Sequence, residues 1–397
     1  MPSTAPRILL IVGTRPEVIK LAPVERALRE HADWQVSVCF TGQHRDLVPP
    51  ILATFGLRPE LELSAGGPAQ GLSSLMARLL DGIDPVLDAL RFDWVVVQGD
   101  TTTAAAGALA AFHRRVPVAH VEAGLRTGDL AAPFPEEANR QLIARLASLH
   151  LAPTPASRAA LLREGIDGAA IEVTGNTVVD ALRWVSGQLS DDGTPPLHAP
   201  DLLRFAGARP FVLVTGHRRE SFSGGLEAVC EGLVRLARAY PSVDFVYPVH
   251  LNPHVQAAVH GALSGLSNVH LLAPVDYLSA VWLLRSCAFV ITDSGGLQEE
   301  APEFGKPVIV TRTATERAEG IAAGCAALVG YDAELLVETA RRWLEDAGAY
   351  AAACPRANPY GDGRAAARCV AALRRRLGLP FTEPPAWPAG PASPDLV

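Results

Sequence analysis

Three acidic residues stand directly after, or shortly beyond, short apolar runs. The run 93–98 (DWVVVQ) leads into Gly99-Asp100-Thr101, and the run 117–121 leads into Glu122-Ala123-Gly124. Pro133-Phe134-Pro135 then precedes Glu136, Glu137 and Arg140. Ordinary roles compete for two of the three. Asp100 occupies the place of a helix N-cap, and Glu136 with Glu137 would gain roughly 0.3–1 kcal/mol from opening a helix. A glutamate before Gly124 at a strand end is harder to explain as packing. Brought to one edge, Asp100, Glu122 and Glu136 suit acid–base catalysis, because mutual repulsion and burial raise some carboxyl pKa values. The first apolar run ends in Gly13-Thr14-Arg15-Pro16-Glu17, with Lys20 about a turn later. Arg15 and Lys20 there present positive charge to an anion or a carboxylate, against the plain alternative of a solvated basic helix start.

The second half carries groups suited to a diphosphate. Thr215-Gly216-His217-Arg218-Arg219-Glu220 follows an apolar run and combines an imidazole with two guanidinium groups beside glycine. Such a set clamps phosphate or a leaving group; the plain alternatives are a surface charge pair and a structural histidine. Asp293-Ser294-Gly295-Gly296-Leu297-Gln298-Glu299-Glu300 delivers a small-residue turn to a helix start. Free N–H groups and the positive end of the helix dipole suit phosphate there, with Ser294 as a further donor. Glu300, one turn on, is placed to accept from two ribose hydroxyls. The charged loop from Thr315 to Gly320, with Arg317 at its centre, is suited to closing on a ligand.

These residues need a framework that brings strand ends together. Unbroken apolar runs fit strands buried on both faces, and strands at 7–13, 35–41, 93–98, 117–121 and 171–174 alternate with helices at 17–30, 101–113 and 136–148. Residues 190–200 (SDDGTPPLHAP) read as a linker. The pattern then restarts, with strands at 211–215, 244–247, 269–272, 288–292 and 307–311 and helices at 225–239, 278–285 and 297–304. Alternation of this kind predicts βαβ units and parallel sheets. The expected fold class is therefore α/β, with two Rossmann-like doubly wound parallel-sheet domains and a ligand cleft between them, beyond the carboxyl ends of the strands. The first domain is expected to span 1–189 and the second 201–363. The proline-rich end, 380–397, has little to bury and is expected to be mobile.

Composition narrows the partners. The 397 residues carry a formal charge of −7, which disfavours a general nucleic-acid binder. Cys39, Cys230, Cys287, Cys325, Cys354 and Cys369 form no C-x-x-C pair and have no histidine pair at metal-ligand spacing. Reduced, mostly buried thiols and no metal site are expected. The apolar run 8–12 is too short for a signal segment, and no stretch reaches the roughly 18 apolar residues of a membrane span. A cytoplasmic protein with no membrane partner is expected.

The ordered set GTRPEVIKLAPV, TGQHRD, QGDTTT, HVEAGLRTGDL, PFPEEANR, VTGNTVVDAL, VTGHRRESF, VYPVHLNP, TDSGGLQEEAPEFGKPV, TERAE and NPYGDG resembles the bacterial non-hydrolysing UDP-N-acetylglucosamine 2-epimerase family, from about residue 10 to about residue 375. The resemblance implies a GT-B-type fold with a C-terminal helix, about 364–378, returning to the first domain. It implies a homodimer and interconversion of UDP-N-acetylglucosamine with UDP-N-acetylmannosamine, through elimination of UDP to 2-acetamidoglucal and its re-addition, with no cofactor. It implies Asp100, Glu122 and Glu136 as the acid–base group and His217 against the departing phosphate. Arg15, Lys20 and Arg140 would order carboxylates and substrate, while Ser294, Gly295, Gly296, Glu300 and Arg317 would hold UDP. It also implies a second UDP-N-acetylglucosamine as activator, at Gln43, Asp46, Arg78, Arg218, Glu220 and His250. The chain departs from the family pattern at Asp46, where a longer Glu or Gln is usual, and at Thr313, Ala314 and Ala318, which replace Asp, Thr and Pro. Three alternatives stay open: a hydrolysing epimerase releasing N-acetylmannosamine, a GT-B glycosyltransferase, and a non-catalytic nucleotide-sugar sensor.

Overall fold

The structure is a computed structural model and describes residues 5–67, 71–207, 209–216 and 224–387. By its internal contacts the chain divides into two units. One comprises Met1–Ala181 with Tyr360–Val397, and the other Leu182–Pro359.

The first unit is built from β1 (Arg7–Val12), α1 (Arg15–Arg29), β2 (Gln35–Phe40), α2 (Pro49–Phe55), β3 (Leu61–Glu62), α3 (Leu72–Leu90), β4 (Trp94–Gln98), α4 (Thr102–His113), β5 (Val118–Val121), α5 (Glu136–Leu146), β6 (Leu149–Ala152), α6 (Pro155–Arg163), β7 (Ile171–Val173) and the start of α7 (Thr177–Ser186). Its seven strands pair in the order β3-β2-β1-β4-β5-β6-β7, all in parallel. The apolar runs are buried, as both-face coverage requires: Ile8 to Val12 are 0% exposed. The order reverses between β1 and β4, so the loops leaving these two strands lie side by side at the switch point.

Scarce aromatics leave the packing around α4 to small residues. Ala104, Ala105, Ala106, Ala108, Ala110 and Ala111 are buried on that helix, and Gly107 lets it approach the sheet. A Cβ at Gly107 would stand 3.0 Å from Ile11 Cδ1 and 3.2 Å from Val97 Cγ1.

The second unit continues with β8 (Phe211–Thr215), α8 (Gly225–Ala239), β9 (Asp244–Pro248), α9 (Pro253–Leu263), β10 (Val269–Leu272), α10 (Tyr277–Ser286), β11 (Val290–Thr292), α11 (Gly295–Glu300), β12 (Val308–Val310), α12 (Ala318–Ala322), β13 (Ala326–Leu328), α13 (Ala333–Glu345) and α14 (Ala347–Ala353). Its six parallel strands run β10-β9-β8-β11-β12-β13, with the reversal between β8 and β11. The core joins Val212, Phe245, Tyr247, Phe289, Ile291 and Ile309 to the inner faces of α8, α9 and α13.

The last helix, α15 (Ala365–Leu377), packs on α1 in the first unit. Asp180 accepts from the N–H groups of Ala365 (3.2 Å) and Ala366 (3.0 Å), supplying acceptors to otherwise orphaned helix donors. Arg374 makes a two-bond pair with Asp33 at 2.7 and 2.6 Å, and Arg368 donates to the Thr174 carbonyl at 2.9 Å. The described residues after α15 have anchors as far as Trp387, whose ring centroid lies 5.9 Å from Arg368 Cζ. Arg375 holds Glu383 at 3.0 and 2.8 Å, and the Pro385 carbonyl accepts from Arg368 at 2.8 Å.

Two readings of the sequence change. The helix expected over 136–148 stops at Leu146, and Leu149–Ala152 forms a further strand between β5 and β7. The string ARLASLHLA keeps helical spacing through the turn, which hides the boundary. The N-cap of α4 is Thr101, whose hydroxyl accepts from the Ala104 N–H, and not Asp100. That leaves the Asp100 carboxylate outside the cap.

Filling the space beneath α4 must move either the helix or the sheet. Gly107→Leu is expected to lower stability by about 1–3 kcal/mol, read as a fall in the urea midpoint. Wild-type stability in that variant would show that the contact is not tight.

Candidate active site

In the first unit the chemistry-bearing residues sit at the carboxyl ends of strands. Glu122 follows β5 and has φ +65°, a left-handed conformation that non-glycine residues seldom adopt. Strain of this kind persists where the surroundings over-determine it. Its carboxylate is buried among three donors. Lys20 Nζ, from α1, ion-pairs with Oε1; Asn176 Nδ2 donates to Oε1 at 3.2 Å; and Gln98 Nε2, from the end of β4, donates to Oε2. Gly99, also at positive φ, keeps that side open: a Cβ there would lie 3.8 Å from Glu122 Oε2.

Arg140 gathers a second group. Its Nε and Nη2 donate to Asp100 Oδ2 at 2.8 and 2.7 Å, and its Nη1 to Glu137 Oε2 at 3.2 Å. Glu137 also accepts from the N–H groups of Thr127 (3.1 Å) and Gly128 (3.3 Å), which fixes the loop before α5. Asn139 Nδ2 donates to the Asp100 carbonyl at 2.8 Å. Asp100 therefore has both its side chain and its main chain held by α5, while its side chain keeps partial exposure. Glu136 lies half-buried on the first turn of the same helix, and Arg15 half-buried on the first turn of α1.

Burial shifts several titrations around this edge. Burial pushes the Glu17 carboxyl up to about 7, although the N–H groups of Gly13 and Thr14 and the Thr101 hydroxyl donate to it. His120 and His150 are register partners on β5 and β6, and burial holds them down to about 3 and about 4. His120 Nε2 bonds the Gly99 carbonyl at 2.7 Å, on the turn that presents Asp100.

In the second unit the turn after β11 carries Ser294, Gly295 and Gly296. A Cβ at Gly296 would stand 3.7 Å from Ser294 Oγ and 3.9 Å from Glu300 Oε1, so both oxygens approach the same open spot. A Cβ at Gly295 would meet Arg317 Cζ at 2.6 Å, so any side chain there would have to displace the buried guanidinium. Arg317 is buried. Its Nε and Nη2 both reach Glu299 Oε1 at 2.9 Å and its Nη1 pairs with Glu316, which also holds Arg312 at 3.0 Å. Glu299 is thus the buried partner of Arg317, and Glu300 is the half-buried neighbour beside the glycines. Thr315 Oγ1 donates to Gln298 Oε1 at 2.8 Å, tying the loop before α12 to α11.

The residues matched to an activator site are divided between the units. In the first, Gln43 Oε1 accepts from the N–H (3.2 Å) and hydroxyl (2.7 Å) of Thr103, Arg78 donates to the Ala65 carbonyl (2.7 Å), and Asp46 is exposed. In the second, His250 is exposed and its Nδ1 accepts from the Asn252 N–H at 3.1 Å. His217, Arg218 and Glu220 lie outside the described residues. Among the described residues no group of three His, Cys, Asp or Glu side chains is placed to hold a metal. No helix among them is long and apolar enough to cross a membrane.

Sequence reasoning did not pick out Gln98, Asn176, Glu137 or Asn139. Each lies inside a motif used for its neighbours, but its role depends on contacts from distant elements.

Two doubly wound parallel-sheet units, as expected from the strand and helix pattern, define the GT-B-type α/β class. The sequence model of the UDP-N-acetylglucosamine 2-epimerase family matches residues 26–374. A probable UDP-N-acetylglucosamine 2-epimerase of Ralstonia nicotianae is 48% identical over 369 residues, covering 93% of this chain and 98% of that protein. Among solved structures, S. aureus MnaA with UDP is 37% identical, covers 96% of this chain and 100% of its own, and has a TM-score of 0.89. The UDP-GlcNAc 2-epimerase of Neisseria meningitidis bound to UDP-GlcNAc is 38% identical, covers 93% and 100%, and has a TM-score of 0.87. The chain belongs to the UDP-N-acetylglucosamine 2-epimerase family.

Two measurements check the electrostatics. Removing Lys20 breaks the buried ion pair at Glu122 Oε1, so Lys20→Met is expected to cost about 3–5 kcal/mol in urea unfolding; a loss near zero would mean that the pair is solvated. The folded chain keeps His150 neutral, whereas the unfolded chain takes up its proton below about 6.5. The unfolded state therefore binds more protons, and stability is lost as pH falls from 6.5 towards 4. His150→Gln is expected to make that decline shallower, and an unchanged slope would remove His150 from it.

Proposed function

We propose that the protein interconverts UDP-N-acetylglucosamine and UDP-N-acetylmannosamine by the non-hydrolysing route. The observation that carries this reading is the buried Glu122 carboxylate, held by Lys20, Gln98 and Asn176, in a family member that also keeps Asp100 paired with Arg140. A glycosyl transfer needs no base at sugar C2, and a sensor could dispense with carboxylates.

The C2–H of the sugar is only weakly acidic. As the C1–O bond to UDP breaks, positive charge builds at C1 and C2 becomes easier to deprotonate. The electron pair of the C2–H bond becomes the C1=C2 bond of 2-acetamidoglucal, UDP leaves with the electrons of the C1–O bond, and a carboxylate takes the proton. Reprotonation of C2 on the opposite face and attack of a UDP oxygen at C1 give the epimer. The sequence is redox-neutral overall, so it needs no nicotinamide. Asp100, Glu122 and Glu136 are assigned as the acid–base group, and the C2 proton is assigned to the set rather than to one member. Arg15, Lys20 and Arg140 order the carboxylates and substrate. His217 is assigned to the departing phosphate. Ser294, Gly295 and Gly296 are assigned to the diphosphate and Glu300 to the ribose hydroxyls, with Arg317 holding the Gly295 turn through Glu299.

The same reading assigns Gln43, Asp46, Arg78, Arg218, Glu220 and His250 to a second UDP-N-acetylglucosamine acting as activator. It takes the working form as a cytoplasmic homodimer.

Incubation with UDP-N-acetylglucosamine in deuterated water, followed by NMR, is expected to place deuterium at C2 and yield both UDP-sugars. Free N-acetylmannosamine with UDP as the main product would identify a hydrolase. Substrate consumed only with an added acceptor would identify a transferase. In the same assay Glu122→Gln should lower kcat about 100-fold or more, while UDP binding by calorimetry stays near wild type. Near-normal turnover would remove Glu122 from the chemistry.

A further inference from the structure

We infer that Glu17 is a positioning residue for this reaction, a buried clamp that holds the loop presenting Asp100 against the loop presenting Arg15 and Lys20. The inference rests on the proposed function for its kinetic consequences, and on geometry alone for the clamp.

Glu17 occupies the third position of α1, where a glutamate commonly reaches back to the helix start. Oε2 does this, accepting from the N–H groups of Gly13 at 3.0 Å and Thr14 at 2.7 Å. Capping accounts for those two bonds. It does not account for Oε1, which accepts from the hydroxyl of Thr101 at 2.7 Å, a residue 84 positions away. Nor does it account for burial. A cap at the surface stabilises a helix without leaving water, whereas Glu17 is 0% exposed and the groups that donate to it, two main-chain N–H groups and a hydroxyl, are neutral. Glutamate is almost never fully buried without a charge partner. The cost is visible in its titration, which burial pushes up to about 7.

The cost falls at a particular place. β1 and β4 are the neighbouring strands at which the sheet order reverses, and the two loops that Glu17 joins are the ones that leave them. Thr101 directly follows Asp100 and caps α4. The main chain on either side is held as well, with His120 on the Gly99 carbonyl and Asn139 on the Asp100 carbonyl. Without Glu17 the Thr101 side would lack its tie to α1, the helix that also delivers Lys20 to Glu122. Asp100 and Glu122 are thus both referred to one helix start.

The test combines Glu17→Gln, Thr101→Val and Thr101→Ser in the full chain. Glu17→Gln and Thr101→Val are each expected to lower kcat about 10- to 100-fold with KM little changed, as misplacement of a catalytic group does. The double variant should lose no more than the worse single, because the Glu17–Thr101 bond is broken in each, Thr101→Val removing the α4 cap in addition. Thr101→Ser, which keeps the hydroxyl, should restore turnover. Amide exchange in peptides covering 99–104 should speed up in Glu17→Gln and Thr101→Val and not in Thr101→Ser. A fall in Tm with kcat and KM unchanged would reduce Glu17 to a helix cap, and unchanged exchange over 99–104 would overturn the clamp itself. A wild-type protein that does not epimerise would sink the proposed function, and the exchange measurement would still decide the clamp.

Discussion

A carboxylate withdrawn from water needs donors, and the organisation of the first unit follows from how Glu122 obtains them. The lysine comes from α1, one amide from the end of β4 and the other from Asn176 just before α7. These positions are far apart in sequence, so the group exists only when the parallel sheet has formed in its proper order. The positive φ of Glu122 belongs to the same constraint. A backbone that would relax if its side chain were free is kept in place because three elements hold that side chain.

Arg140 does for Asp100 what Lys20 does for Glu122, with a difference in geometry. A planar guanidinium bonds two carboxylates at once, so Asp100 and Glu137 are spaced by the fork between them. In the second unit a buried guanidinium is again shared between two carboxylates. Arg317 is spent on Glu299 and Glu316, and its guanidinium becomes the wall against which Gly295 must be bare. Charge there shapes a backbone turn, and the turn presents Ser294 and Gly296.

Much of this was legible in the sequence because parallel sheets place chemistry at strand ends, and strand ends are easily read from apolar runs that stop at glycine or at an acidic residue with glycine close behind. Gly99-Asp100, Val121-Glu122 and Asp293-Ser294-Gly295 all follow that rule. What stayed hidden is of two kinds. Partners such as Gln98, Asn176 and Glu137 are ordinary polar residues whose importance depends on what lies opposite, which periodicity cannot supply. Boundaries were lost where one string serves two elements, as at 136–152, where α5 passes into β6 without a proline or glycine to mark the change. The N-cap of α4 shows the same limit on a finer scale. Asp100 and Thr101 are both good caps, and only the bond from Ala104 decides between them.

The return of α15 to the first unit bears on how the chain comes off the ribosome. Asp33, Thr174 and Asp180 find their partners on Arg374, Arg368 and the first amides of α15, residues made only after the whole second unit. At about 5–20 residues per second, that interval is on the order of ten seconds or more. Throughout it the face of α1 that α15 covers lacks its partner helix. The second unit is under no such delay, since its strands and helices are contiguous. The first unit is therefore closed only after the second has been made, and the vulnerable species in its biosynthesis is a chain with a finished second unit whose first unit still lacks α15.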